Sequence, residues 1–106
     1  MSFRVMLRME IEPGSEEAFE KAWHAGTDAV TGHPANLGQS LSRSAAGDNA
    51  YYIVSDWLDE PRFREFENST AHLEHRATLH PYRRGGSFHV MEVVTHIEGR
   101  AVADAR

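Results

Sequence analysis

The stretch HLEHRATLHPYRRGG, residues 72–86, gathers His72, His75, His80, Tyr82, Arg83 and Arg84. The whole chain has 7 histidines in 106 residues, so this segment holds a large share of them. Three chemistries suit such a group: metal ligation, proton transfer near neutral pH, and capture of an anion. His72 and His75 stand three apart and could reach one ion. Glu74 points elsewhere, however, and the spacing is not the H-E-x-x-H of zinc hydrolases, so no metal is expected. A histidine at the edge of a pocket can move a proton near neutrality, a role open to His72 and His80. Tyr82 with Arg83 and Arg84 could grip a phenolate or a carboxylate. Equally, arginines after a helix C-terminus answer the helix dipole.

A helix must carry these groups. Asp59 reads as its N-cap, Pro61 sits just inside, and His80-Pro81 ends it. Phe63, Phe66, Leu73 and Ala77 form its apolar line. At 100° per residue, one continuous helix places His75 about 170° from the middle of that line, His72 about 130° and His80 about 50°. His75 then faces water and His80 the edge of the core. Asn68-Ser69-Thr70 compete for backbone hydrogen bonds. A break there would rotate the second half and bring His72 inward.

The remaining elements follow from periodicity. Residues 3–11, FRVMLRMEI, alternate with period two and read as a strand ended by Pro13-Gly14. Ala18, Phe19, Ala22, Trp23, Ala29 and Val30 recur at helical spacing, with Glu16 and Glu17 in the first turn, so a helix is expected to about residue 30. Residues 36–45 form a weaker strand, lowered by Gly38 and serines. Gly47-Asp48-Asn49 turns it into AYYIVSDW, residues 50–57, which is β-branched and aromatic. His33-Pro34 reads as a turn. Gly85-Gly86 reads as a loop, residues 87–97 as the last strand and 98–106 as a loose tail. Trp57, at a strand end, belongs either to the core or to a pocket wall. Arg8, mid-strand among apolar neighbours, needs a partner: Glu10, Glu92 or a ligand.

The order β-α-β-β-α-β is the ferredoxin-like α+β plan, an antiparallel four-stranded sheet with two helices on one face. One domain over residues 1–106 is expected, with its core at about 3–97. Tyr51, Ile53 and Trp57 alternate with Tyr52 and Val54, so the sheet is apolar on both faces. A second copy, packed sheet against sheet by two-fold symmetry, would cover the other face, and a homodimer is expected.

With 41% apolar and 25% charged residues, the chain reads as a soluble globular domain. A net charge of −5 argues against nucleic acid and against anionic membrane as partners. No cysteine is present, which excludes thiolate metal sites, disulfides and cysteine nucleophiles. No signal peptide or spanning segment is visible, so the expected compartment is the cytoplasm. No phosphate loop, nucleophile elbow, or flavin or nicotinamide fingerprint appears, and no cofactor is expected.

The strand-end tryptophan and following turn in YIVSDWLDEPRF, and NSTAHLEHRATLHPYR beyond them, resemble the antibiotic biosynthesis monooxygenase (ABM) superfamily over residues 3–97. RVMLRMEIEPG and VTGHPANLGQSLSRS extend the resemblance to the small ABM-type proteins of aromatic (type II) polyketide pathways. That resemblance implies a dimeric α+β barrel. It also implies one of three activities: cofactor-independent oxidation of anthrones to quinones by O₂, haem degradation, or polyketide cyclisation. Against the anthrone-oxidising type the chain matches at Trp57, while the pocket asparagine and tyrosine of that type fall at Ile53 and Phe63. The haem-degrading type has an asparagine on strand one and a tryptophan and histidine on helix two. Their counterparts here are Arg8, Phe66 and Arg76, with His75 adjacent, so that residue set is not reproduced.

The expectation is a cofactor-free monooxygenase acting on an aromatic polyketide, a small-molecule partner. His72 or His80 would be the base and Trp57 an aromatic wall. Arg8 or Tyr82 would hold the anion, with Phe63 and Phe66 against the substrate. A cyclase or aromatase would need the same pocket without oxygen. A non-catalytic dimeric partner of the polyketide machinery would leave the histidines merely wet.

Overall fold

The computed structural model describes residues 1–105. Strand β1 (Phe3–Ile11) leads through Pro13-Gly14 into helix α1 (Glu16–Ala25) and the short α2 (Asp28–Thr31). Strands β2 (Asn36–Arg43) and β3 (Ala50–Trp57) form a hairpin. Helices α3 (Glu60–Glu67) and α4 (Thr70–Leu79) follow, then a 3₁₀ turn (His80–Tyr82), strand β4 (Arg83–Glu92) and the terminal helix α5 (Arg100–Asp104). The sheet is antiparallel in the order β2-β3-β1-β4. That is the ferredoxin-like architecture expected from the sequence. No helix among the described residues is long and apolar enough to cross a membrane.

The period-two pattern sorts the strands as anticipated. Phe3, Val5, Leu7 and Met9 pair with Trp57, Ser55, Ile53 and Tyr51 on the face that the helices cover, and Ile11 is buried on the same side. Arg4, Met6, Arg8, Tyr52 and Val54 lie on the other. The covered face is buried at its two ends and more open in the middle, at Leu7 and Ile53. The core is accordingly divided. One cluster gathers Phe3, Val5, Val30, Trp57, Phe63 and Phe66; the other gathers Met9, Ile11, Phe19, Trp23, Tyr51 and Leu79.

Several boundaries differ from the sequence expectation, each for a local reason. The first helix stops at Ala25 because Gly26 caps it, and the chain restarts at Asp28. Strand β2 ends at Arg43 rather than 45. Gly85 and Gly86 are not a loop but part of β4, which spans 83–92 instead of 87–97. Gly86 has φ +155° and lies so close to the Arg8 carbonyl that a Cβ would meet its oxygen at 2.0 Å. Only glycine fits where one strand backbone presses on another in this way. Within the tail, residues 100–104 are helical, and Arg106 lies outside the described residues.

Candidate functional site

The break between α3 and α4 shapes the site. The Asp59 carboxylate accepts from the Arg62 N–H at 3.0 Å and starts α3, with Pro61 in its first turn. Asn68 ends α3, its side-chain amide donating to the Arg64 carbonyl at 2.9 Å. Ser69 starts α4, its hydroxyl accepting from the His72 N–H at 3.2 Å. Two competing side chains therefore stop one helix and begin the next, as their capping preference dictates. The reorientation moves Leu73 out, to 51% exposure, and exposes Ala77. Neither continues the apolar line that a continuous helix would give. It turns His72 in, and the imidazole packs on Phe66 with ring centroids 4.8 Å apart. His75 is not in full solvent either. It is partly buried against Gly26, where an added Cβ would lie 1.9 Å from its Nδ1.

Between the helices and the sheet lies a cavity of about 420 Å³. It occupies the gap between the two core clusters. Its apolar wall includes Leu7, Met9, Trp23, Ile53, Phe63 and Phe66. Its polar wall is formed by His72, His75, His80, Arg76 and Arg83, with Glu67 beside them. Gln39 and Ser55, paired across β2 and β3, add two polar groups on the sheet side. Ser55 is 8% exposed, and its Oγ accepts from the Trp57 indole N–H at 3.0 Å. The serine O–H is left to donate elsewhere.

Electrostatics favour neutral imidazoles here. Burial lowers the His72 pKa below the ordinary histidine value, the Arg76 charge lowers it further, and Glu67 opposes. Burial alone lowers that of His75. A neutral imidazole is a proton acceptor or a ligand, so both rings have a free basic nitrogen to offer. Among the described residues, no group of three His, Asp or Glu side chains is placed to hold a metal ion.

Of the residues singled out in the sequence, His72, His80, Phe63 and Phe66 come together on this cavity. Trp57 does not line it. The indole is fully buried among Phe3, Phe63 and Phe66 and reaches the cavity only through Ser55. Tyr82 packs against the second core cluster, outside the cavity. Arg8 lies on the opposite face of the sheet, paired with Glu10 at 3.4 Å and Asp48 at 3.3 Å. An arginine of β1 facing away cannot meet a ligand under the helices; Val5, Leu7 and Met9 are the β1 residues facing that way. His75, expected in water, and Arg83, weighed with Tyr82 and Arg84 as an anion grip, also reach the cavity, while Arg76, Gln39 and Ser55 were missed. For Ser55 the signal was present, since it shares the inward phase of Ile53 and Trp57. His33, read as a turn residue, is one: its Nδ1 accepts from the Ala35 N–H at 3.1 Å.

A small α+β domain with a histidine-lined cavity between sheet and helices is therefore defined by fold and geometry. Residues 2–78 match the model of the family "Antibiotic biosynthesis monooxygenase", and the chain belongs to that family. It is 32% identical over 82 residues to Protein SchA of Streptomyces halstedii, covering 77% of this chain but only 22% of SchA. The chain thus spans about a fifth of that relative's length. It is 31% identical over 94 residues to the "Heme oxygenase (mycobilin-producing)" of Mycobacterium tuberculosis, covering 86% of this chain and 88% of that one. Its fold is similar to that of SnoaB, a cofactor-independent oxygenase from Streptomyces nogalater. The TM-score is 0.81 at 17% identity, over 92% of this chain and 98% of SnoaB.

Proposed function

We propose that this protein is a cofactor-independent monooxygenase that oxidises an aromatic polyketide of anthrone or polyphenol type with O₂. The observation that carries the reading is His72: a half-buried imidazole, biased to its neutral form, stacked on Phe66 at the wall of an apolar cavity. An anthrone loses a proton to such a base and becomes an electron-rich carbanion. The carbanion gives one electron to O₂, and the resulting radicals combine as a hydroperoxide at the same carbon. Loss of water leaves the quinone, so one oxygen atom enters the product and the other departs as water. The chain's part is to exclude bulk water, hold the rings against Phe63 and Phe66, and accept the proton at His72. Ser55 and Gln39 can donate to the developing oxyanion. The likeness to SnoaB and to SchA supports this choice of chemistry. The two-faced apolar sheet supports a homodimer formed through Met6, Tyr52 and Val54.

Oxygen uptake tests the reading. Chelator-treated protein mixed with an anthrone should consume O₂ faster than a protein-free control, and His72→Asn should remove the acceleration. Product formed equally well without oxygen from a poly-β-ketone would replace the oxygenase with a cyclase.

A second reading, haem as the substrate, is favoured by His75 and by the relative matched over 88% of its length. The half-buried, neutral-biased ring of His75 fits an iron ligand. Titration with haemin distinguishes the readings: a saturable Soret shift lost in His75→Ala would favour haem, and its absence would leave the anthrone reading.

A further inference from the structure

Exposed arginines in an acidic chain ordinarily stand near a carboxylate, even where the pair contributes little to stability. The arginines away from the cavity do so, from Arg4–Asp56 at 2.8 Å to Arg43–Glu20 at 4.0 Å. Among the described residues, the two arginines with no such partner are Arg76 and Arg83. Both lie on the cavity wall, one from α4 and one from the start of β4. The only acidic residue on that wall among the described residues, Glu67, is already held by Arg64 at 3.1 Å. A chain of net charge −5 therefore keeps two guanidinium groups without a carboxylate partner on the polar wall of the cavity, across from its apolar wall.

We infer that the ligand of this cavity is an aromatic acid, its rings between sheet and helices and its carboxylate facing Arg76 and Arg83. The planar guanidinium donates paired N–H groups that match a carboxylate, which a neutral carbonyl or amide cannot equal. Its flat, weakly hydrated surface also tolerates an aromatic neighbour. The inference rests on the aromatic-substrate reading above and narrows it, from ring compounds in general to those bearing a free carboxylate.

A stable probe pair tests it on the full chain: anthraquinone-2-carboxylate and the matching carboxamide, titrated by quenching of Trp23, which lines the cavity. The acid should bind roughly tenfold or more tighter than the amide, the range expected for hydrogen bonds to a charged group. The double variant R76Q/R83Q should abolish the preference, so that acid and amide bind alike, with an unchanged denaturation midpoint reporting an intact fold. Equal binding of acid and amide by the unaltered chain would overturn the carboxylate inference and leave the aromatic cavity standing. A preference for acid that survives R76Q/R83Q would overturn the assignment to these arginines. Binding of neither probe would overturn both readings.

Discussion

Helices α3 and α4 are consecutive, similar in length and joined by two residues, yet they do opposite things. α3 buries Phe63 and Phe66 in the core and leaves its charges paired on the surface, Arg64 with Glu60 and Glu67 at 3.1 Å each. α4 buries only Leu79 and turns His72, His75 and Arg76 to the cavity. The first is anchored by apolar area; the second is held by its N-cap, by Leu79 in the second core cluster and by contact with α1 and α2. Separating anchor from working surface lets polar side chains reach a ligand without forfeiting the core.

The contrast can be broken most severely at Phe66, which touches both roles. Phe66→Ala should lose about 3–5 kcal/mol of stability, the cost of emptying a packed aromatic site, read by chemical denaturation. His72→Asn should do the reverse. Stability should stay within about 1 kcal/mol, while oxygen uptake falls roughly a hundredfold or more, the usual contribution of a general base. The two caps sharpen the comparison. Asp59→Ala and Ser69→Ala should each cost about 1 kcal/mol. Only Ser69→Ala should also lower turnover, because Ser69 orders the turn that carries His72. The smallest effect is the pH response. Burial depresses the folded pKa of His72 below its unfolded value, so the unfolded chain binds the proton more readily. The contribution to stability is full above the ordinary histidine range and declines as pH falls through it toward the folded pKa. Turnover should fall with it, since the base is then protonated. His72→Asn should make the stability profile shallower, leaving the share of His75, and flatten that of kcat/KM, by denaturation midpoint and by rate against pH.

The sequence revealed the strand faces because alternation is read directly from side-chain type, and Phe3, Val5, Met9 and Ile11 follow it without exception. Helix α3 was equally legible from Asp59, Pro61 and two phenylalanines. The break at Asn68-Ser69 was visible as a competition, but its angle was not. That angle alone decides whether Leu73 or His72 faces inward. Arg8 drew notice by standing among apolar neighbours, yet an even position on β1 commits it to the face away from the helices. Gly85-Gly86 misled because glycine marks both loops and close backbone contacts. Arg83 was named in the sequence only beside Tyr82 and Arg84, and Arg76 not as an anion site at all, for another reason. What sets them apart is a missing carboxylate, and tertiary pairing is not written in any local pattern.

The contact between Gly26 and His75 makes the end of α1 one side of a slot whose other contents are an imidazole. His75→Gly would leave a vacancy shaped for that ring, opening onto the cavity. Free imidazole in the buffer could then stand in for the missing side chain. Whatever His75 does would become a reagent that can be added, withheld or substituted on the ring.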